Sequence, residues 1–392
     1  MSTAVSDHTK MLLITPLLPP PVRGGSGVLL RELFSRFPKD EVIALVGRLE
    51  QEDGITIDGN MEVHRRKKLH FPLSRFNMIT FLAHFTWEAF SLQKLKKLSF
   101  LVCGEYYPCS IVALALYLFK GVPYFVYFHG EDIYKMYRWR KWLIKPILLH
   151  AKGVISNSEY TKRLIINRGG NGKIIVCKPC ADYHRFKPSS NVDKLKRELG
   201  LENKKIILTV SRIIPRKGHK HAILALKSII NTYSNAILVI VGKNVYGYGA
   251  ILQEYIKKCK VEENVFIKGD VTDEELVKYY QVCDIFVMVS DTGPDQNDLE
   301  GFGITFLEAS ACEKPVIGGN SGGMPEAVED GVTGFIIDPN NENVFIEKLE
   351  RLLGDPLECH KMGREGRKRV IRNFDYNDRS RFLRDQLHEL LK

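Results

Sequence analysis

Short runs of β-branched and apolar residues alternate with helical stretches along this chain. That order confines it to parallel sheets covered by helices on both faces, an α/β architecture. In the first half, Met11–Leu17, Val42–Val46, Phe100–Cys103, Tyr124–Phe128, Gly153–Asn157 and Ile174–Cys177 read as strands. Helices such as Val28–Phe37 and Ile133–His150 fall between them. In the second half, strands are expected at Lys205–Ser211, Ala236–Val241, Val265–Lys268, Asp284–Val289, Pro315–Gly318 and Gly334–Ile337. Helices are expected at His219–Asn231, Glu274–Gln281, Thr305–Ala311 and Val344–Leu353, and the last stretch is helical.

At 392 residues the chain exceeds one ordinary core, so two doubly wound domains are expected. The polar stretch HRFKPSSNVDKLKREL, near 184–200, is the natural linker, giving domains of 1–190 and 200–373. Such sheets bind ligands beyond the carboxyl ends of their strands, which makes the cleft between the domains the default site.

Composition narrows the function. With 44% hydrophobic and 26% charged residues, the chain is neither disordered nor low in complexity. Eight cysteines are too sparse for a disulfide scaffold, and the lone C-x-x-C at Cys177 and Cys180 has no second pair at zinc spacing. They are expected to be buried, reduced thiols of a cytoplasmic protein. The longest charge-free apolar stretch, Tyr106–Phe119, contains Pro108 and is shorter than the ~20 residues of a spanning helix. Residues 1–190 hold 28 Lys+Arg against 15 Asp+Glu, a net of +13, and residues 191–392 hold 29 against 31, a net of −2. Such asymmetry marks an anionic partner for the first half.

Several strand-end loops carry chemistry. Gly24, Gly25 and Gly27 open a helix and let a backbone approach an anion there. Leu30 replaces the third glycine of G-x-G-x-x-G, and no Walker-type phosphate loop is present, so a nicotinamide dinucleotide site is poorly supported. Arg212, Arg216 and Lys217 cluster before a helix, a pattern suited to a diphosphate. Glu300 and Glu308 frame EGFGITFLE. Their separation is about 12 Å if wholly helical, so they suit different parts of an elongated ligand better than paired acid–base work. His129 ends an apolar strand before Gly130, Glu131 and Asp132, a site-like position. Gly319-Asn320-Ser321-Gly322-Gly323 matches a nucleophile elbow, so a serine hydrolase using Ser321 is an alternative. Residues 61–100 interleave eight basic and two acidic residues with seven Phe and Trp. This suits a helix packed on its own domain or a membrane surface better than single-stranded nucleic acid.

Together these motifs resemble the family 4 retaining glycosyltransferases of the GT-B fold. The likeness rests on E-x7-E at Glu300/Glu308, S-R-x-x-P-R-K-G at 211–218, the glycine turn Gly322–Glu326 and H-G-E-D at 129–132. The stretch from Asp284 to Val328 is most similar to bacterial phosphatidylinositol-mannoside mannosyltransferases and to lipopolysaccharide and exopolysaccharide enzymes. The resemblance implies two Rossmann-like domains facing across a cleft, the first completed by a C-terminal helix near 374–392. It implies that Arg212 and Lys217 hold the donor diphosphate and that Glu308 binds ribose. Glu300 would bind the transferred sugar, helped by the N–H groups of Phe302 and Gly303, with Ile304 also among the donor-binding residues. His129 would orient that sugar, Gly24 and Gly25 would approach phosphate, and Lys268 and Val271 would lie near the base.

The same resemblance implies a nucleotide-sugar donor, GDP-sugar favoured over UDP-sugar, with no divalent metal and no cofactor. The acceptor would be a lipid-linked or anionic glycan met at the inner face of the cell membrane, with front-face attack retaining anomeric configuration. The family pattern is not matched everywhere: Ser290–Leu299 is long and acidic, and Gly242-Lys243-Asn244 lacks a second glycine. An epimerase or hydrolase on the same scaffold and a basic binding protein are the other readings.

Overall fold

The computed structural model describes residues 9–16, 18–19, 24–48, 54–70, 75–134, 140–170, 172–290 and 299–392. They form two compact units, Met1–Lys178 with Tyr376–Lys392, and Pro179–Asp375. The first division falls before the polar 184–200 stretch. Ala181 and Phe186 are buried in the second unit's core, and Leu195 and Leu199 pack against it, so this segment is part of the second unit rather than a linker.

In the first unit, the elements run β1 (Met11–Thr15), α1 (Gly25–Phe34), β2 (Val42–Arg48), β3 (Gly54–Asp58), β4 (Met61–His70), α2 (Arg75–Lys96), β5 (Phe100–Cys103) and α3 (Cys109–Lys120). They continue with β6 (Tyr124–Phe128), α4 (Glu131–Tyr134), α5 (Arg140–His150), β7 (Gly153–Ser156), α6 (Glu159–Asn167) and β8 (Ile174–Val176). The expected helix Ile133–His150 is therefore two helices, with 135–139 outside the described residues. The sheet order is β3-β4-β2-β1-β5-β6-β7-β8. Every pairing is parallel except β3 with β4, where Asp58 faces Met61. The basic stretch 61–100, expected as one helix or surface segment, is thus strand β4, helix α2 and the start of β5, with 71–74 outside the described residues. Pairing of β4 with β2, Ala44 opposite Val63, overrides its charged composition.

The second unit runs α7 (Val192–Leu199), β9 (Lys205–Val210), α8 (His219–Ile229), β10 (Ala236–Val241), α9 (Tyr248–Cys259), β11 (Val265–Gly269), α10 (Asp273–Val282) and β12 (Ile285–Met288). It continues with α11 (Ile304–Ala311), β13 (Val316–Gly319), α12 (Met324–Ala327), β14 (Gly334–Ile337), α13 (Glu342–Gly354) and α14 (Pro356–Asn373). The final helix α15 (Tyr376–Leu391) belongs to the first unit. There, the Ser380 hydroxyl donates to the Leu33 carbonyl at 2.8 Å, and Arg384 pairs with Glu41.

The second sheet is parallel throughout, in the order β11-β10-β9-β12-β13-β14. Successive residues of a strand point to opposite faces, and the two cores divide accordingly. Ile237, Val239 and Val241 of β10 enter one cluster, while Ala236, Leu238 and Ile240 enter the other. None of the eight cysteines forms a disulfide.

Each sheet reverses direction of growth once, between β1 and β5 in the first unit and between β9 and β12 in the second. These are topological switch points, where loops leaving neighbouring strands part and open a crevice.

Candidate active site

In the second unit the loop after β9 enters a single 3-10 turn, Pro215–Lys217, closed by Gly218. Gly218 has φ +71, and a Cβ there would stand 2.0 Å from the Val289 carbonyl oxygen. Only glycine lets this loop lie against the end of β12. The approach buries Arg216 and Lys217 beside Glu300, which follows β12. Arg216 Nη1 donates to Glu300 Oε2 at 2.7 Å, and Lys217 Nζ donates to the same oxygen.

Burial pushes the Glu300 carboxyl upward, but Lys217 and then Arg216 outweigh it and hold it at about 2. Lys217 itself is drawn below its ordinary value, chiefly by burial, with Glu300 opposing. Arg216 and Lys217 thus bring two buried cations onto one carboxylate oxygen, a charge pattern that suits recognition of an anion. Among the described residues, Glu300 Oε1 receives no hydrogen bond, so one carboxylate oxygen is left for a ligand hydroxyl.

The backbone of Glu300 is held by the loop after β13. The Gly323 N–H donates to the Glu300 carbonyl at 2.9 Å. Ser321 Oγ donates to the Ser290 carbonyl at 2.9 Å. The hydroxyl that fits a nucleophile-elbow pattern therefore ties two loops together and is not paired with a histidine.

Glu308 occupies a separate environment on α11. Tyr280 Oη donates to its Oε2 at 2.6 Å, and burial raises the Glu308 carboxyl while this bond opposes the rise. The two glutamates share no partner, as the sequence spacing implied. Gly303, at φ +93, precedes α11 without a side-chain cap; the Phe306 N–H donates to its carbonyl at 3.1 Å, and the Ile304 N–H at the helix start is left to a ligand. Phe302 is buried edge-on against Phe374, ring centres 5.9 Å apart.

Arg212 is exposed at the start of the β9 loop, and its charge contributes to lowering Lys217. Lys268 is the penultimate residue of the edge strand β11, two strands from β9, with its ammonium 5.7 Å from the Phe266 ring centre. Val271 packs against one core cluster. The acidic segment 291–298, with Asp291, Asp295 and Asp298, lies outside the described residues.

In the first unit, Gly24 caps α1 with no side-chain bond, and both Gly24 and Gly25 are exposed. His129 leaves β6 and its Nε2 meets the Gly104 carbonyl at 2.7 Å. A carbonyl only accepts, so Nε2 carries the proton and Nδ1 presents a lone pair. Burial holds this imidazole neutral, at about 4, against the pull of the Gly104 bond. Its ring stacks on Tyr127 at 4.5 Å. The His129 N–H donates to Asp132 Oδ1 at 3.0 Å, and Asn157 Nδ2 donates to the His129 carbonyl at 2.8 Å.

Sequence reading overlooked Thr15 and Glu105, which end β1 and follow β5 at this unit's switch point. Thr15 Oγ1 donates to Glu105 at 3.0 Å. Burial raises Glu105 to about 8, with Asp132 adding and Thr15 opposing. Burial also raises Asp132 to about 7. The available signal is an acid just past an apolar strand, and Glu105 carries it, one glycine beyond β5. Arg216 was seen in its basic cluster but was not assigned to the site, where it now stands beside Lys217.

Residues 191–369 match the family model described as glycosyl transferases group 1, and residues 23–185 match the glycosyltransferase family 4 model. A GDP-mannose-dependent alpha-(1-6)-phosphatidylinositol monomannoside mannosyltransferase of Mycolicibacterium smegmatis is 32% identical, over 66% of this chain and 68% of that protein. A GDP-mannose-dependent monoacylated alpha-(1-6)-phosphatidylinositol monomannoside mannosyltransferase of Corynebacterium glutamicum is 26% identical, over 93% and 94%. Among solved structures, Anabaena Alr3699/HepE in complex with UDP and glucose shares the fold, with TM-score 0.80 and 20% identity over 97% of this chain and 100% of that one. Sucrose-phosphate synthase from Thermosynechococcus elongatus superposes with TM-score 0.83 at 19% identity, over 97% and 99%.

Proposed function

Because this chain belongs to the family 4 glycosyltransferases of the GT-B fold, we propose that it transfers a mannose-like hexose from a GDP-sugar, with retention, to a lipid-linked or anionic glycan acceptor. The observation that carries the reading is Glu300 Oε2 shared by Arg216 and Lys217 at the switch point of the second sheet. The two adjoining cations suit the donor diphosphate. As the glycosidic bond breaks, negative charge grows on the phosphate oxygen that leaves, and fixed cations already in place stabilise it without reorganising. Glu300 Oε1 accepts from a hydroxyl of the sugar, and the α11 N-terminus adds N–H donors.

Glu308 takes the ribose hydroxyls. Its bond from Tyr280 fixes the carboxyl and leaves its second oxygen for this purpose. His129, neutral with Nδ1 as an acceptor, orients a sugar hydroxyl. Lys268 and Val271 lie toward the base, and Gly24 and Gly25 approach phosphate. The preference for GDP and mannose is supported by the names of the two mannosyltransferase relatives. Arg216 and Lys217 supply the charge that a divalent metal would otherwise supply, so transfer proceeds without one.

Radiolabelled GDP-mannose incubated with membrane lipid extract and chelator tests this. Label moving into lipid, faster than into water, is expected. Donor consumed equally fast without any acceptor would identify a hydrolase or epimerase instead.

A further inference from the structure

We propose that Glu105 and Asp132 form an acid pair that clamps His129 from both ends and sets an alkaline limit on its action. The inference rests on the part given to His129 in transfer, but the clamp itself lies wholly in the first unit.

Glu105 follows β5 by one glycine, and Asp132 lies in α4. Gly104 is the link on the first side. Its carbonyl meets His129 Nε2 at 2.7 Å, and its peptide is joined directly to Glu105. A Cβ on Gly104 would stand 2.9 Å from the Thr15 Cβ, so this turn is pressed against the end of β1. The Thr15 hydroxyl lies 3.1 and 3.0 Å from the two Glu105 oxygens. Holding Glu105 therefore holds the Gly104 carbonyl, and that carbonyl fixes the imidazole tautomer. Asp132 is the link on the second side. Its Oδ1 accepts from the His129 N–H at 3.0 Å, while its Oδ2 is buried with no hydrogen-bond partner among the described residues.

These contacts suit neutral acids. A buried carboxylate oxygen without a partner is costly once charged, and two carboxylates acting on each other repel. Burial raises both carboxyls, and Asp132 adds to the rise of Glu105. The side chains acting on Glu105 are Thr15 of β1, Asp132 of α4 and Cys109 of α3, and Glu105 in turn raises the Cys103 thiol of β5. Backbone N–H groups act on Asp132, that of His129 first and then that of Tyr106. None of these groups is a cation, so among the described residues nothing balances a negative charge on the pair. With Asp132 at about 7 and Glu105 at about 8, the pair is neutral in mild acid and loses its protons over that span as one coupled system. Repulsion then parts the two acids, the Gly104 carbonyl and the His129 N–H lose their supports, and the ring is released to exchange tautomers. The imidazole itself, at about 4, stays neutral throughout.

Nitrogen NMR of the full chain carrying labelled histidine tests the clamp without any donor. The chain has eleven histidines, and the His129 signals are those missing from His129→Gln. The parent should show the Nε2–H tautomer alone at about pH 6 and a mixture of tautomers at about pH 9, on either side of the span in which the pair ionises. Glu105→Gln, which cannot ionise, should keep the Nε2–H tautomer at both. Glu105→Ala, which loses the contact with Thr15, should show the mixture at both. Asp132→Asn keeps an oxygen for the His129 N–H, so it should leave a single transition centred below that of the parent, because Glu105 then ionises beside an uncharged neighbour. Turnover of GDP-mannose supplies the second reading. In the parent it should fall about tenfold for each pH unit beyond the transition, in Glu105→Gln this limb should vanish, and in Glu105→Ala turnover should be lower by about tenfold or more at every pH. A single tautomer in the parent across the whole range, or a transition that neither the Gln nor the Asn substitution moves, would overturn the proposal. Tautomers that respond as expected in a chain that transfers no sugar would uphold the clamp and overturn the transferase reading instead.

Discussion

A Cβ on Gly322 would stand 2.1 Å from the carbonyl oxygen of Glu300. The turn after β13 therefore fixes the backbone that carries the shared carboxylate. Gly322 also has φ +61, so Gly322→Ala meets both a strained backbone and a collision with main chain. We expect it to destabilise the second unit by about 1–3 kcal/mol and to lower turnover by about 10²-fold, because Glu300 is displaced. Ser321→Ala in the same turn should cost only the hydrogen bond to Ser290, about 1 kcal/mol. Melting curves beside turnover separate the two, and abolished activity in the Ser321 variant would favour the hydrolase instead.

Lys217→Ala removes one of two cations acting on the leaving phosphate. Turnover should fall about 10²–10³-fold. Arg216→Ala should act in the same direction, and the double variant should lose less than the product of the two, because both cations meet one oxygen. Steady-state kinetics on all three variants check this, and equal activity in Lys217→Ala would remove that residue from the mechanism.

Glu300→Gln keeps the shape of the carboxylate and removes the negative charge that Arg216 and Lys217 share. A loss of stability of about 3–5 kcal/mol is expected at neutral pH. The carboxyl of the parent is held near 2, so its contribution is present above the ordinary carboxylate range and disappears as pH falls through about 2. The gap in stability between parent and variant should narrow on acidification over that range, as chemical denaturation at successive pH values would show.

Glu105 has the opposite sign. Its folded value of about 8 lies above its unfolded one, so its contribution is full at low pH and is lost as pH rises through about 8. The melting temperature of Glu105→Gln relative to the parent should therefore rise with pH across that span. A difference independent of pH would mean that Glu105 is ionised throughout.

Much of this fold is legible in the sequence because strands buried on both faces read as unbroken apolar runs, as in FLVC before Gly104 and AILVIV before Gly242. The strand β4 is not legible. Of MEVHRRKKLH, the apolar residues buried among the described side chains are Met61 and Val63, and β2 supplies the pairing from another part of the chain. The site divides in the same way. Glu300 and Lys217 are visible because each follows a strand within a glycine-bearing loop. The bond between Thr15 and Glu105 spans 90 residues, and only the order β1-β5 in the sheet brings the two together. The Tyr280–Glu308 pair depends likewise on how α10 and α11 pack.

Glu308→Ala should weaken donor binding with little change in turnover, since ribose is held equally in the ground and transition states. A raised donor KM with unchanged kcat is the expected pattern. A fall in kcat with unchanged KM would give Glu308 a part in the chemistry.

The most direct measurement is a titration of GDP, UDP, ADP and GDP-mannose into the parent chain and Lys217→Ala, in chelator, followed by melting temperature. A ligand bound only to the folded state adds about 2.7 kcal/mol at a hundredfold excess over Kd. The account predicts a rise with GDP and GDP-mannose in the parent and a much smaller one in the variant. A parent unmoved by every nucleotide, or a variant that shifts as far as the parent, would contradict it.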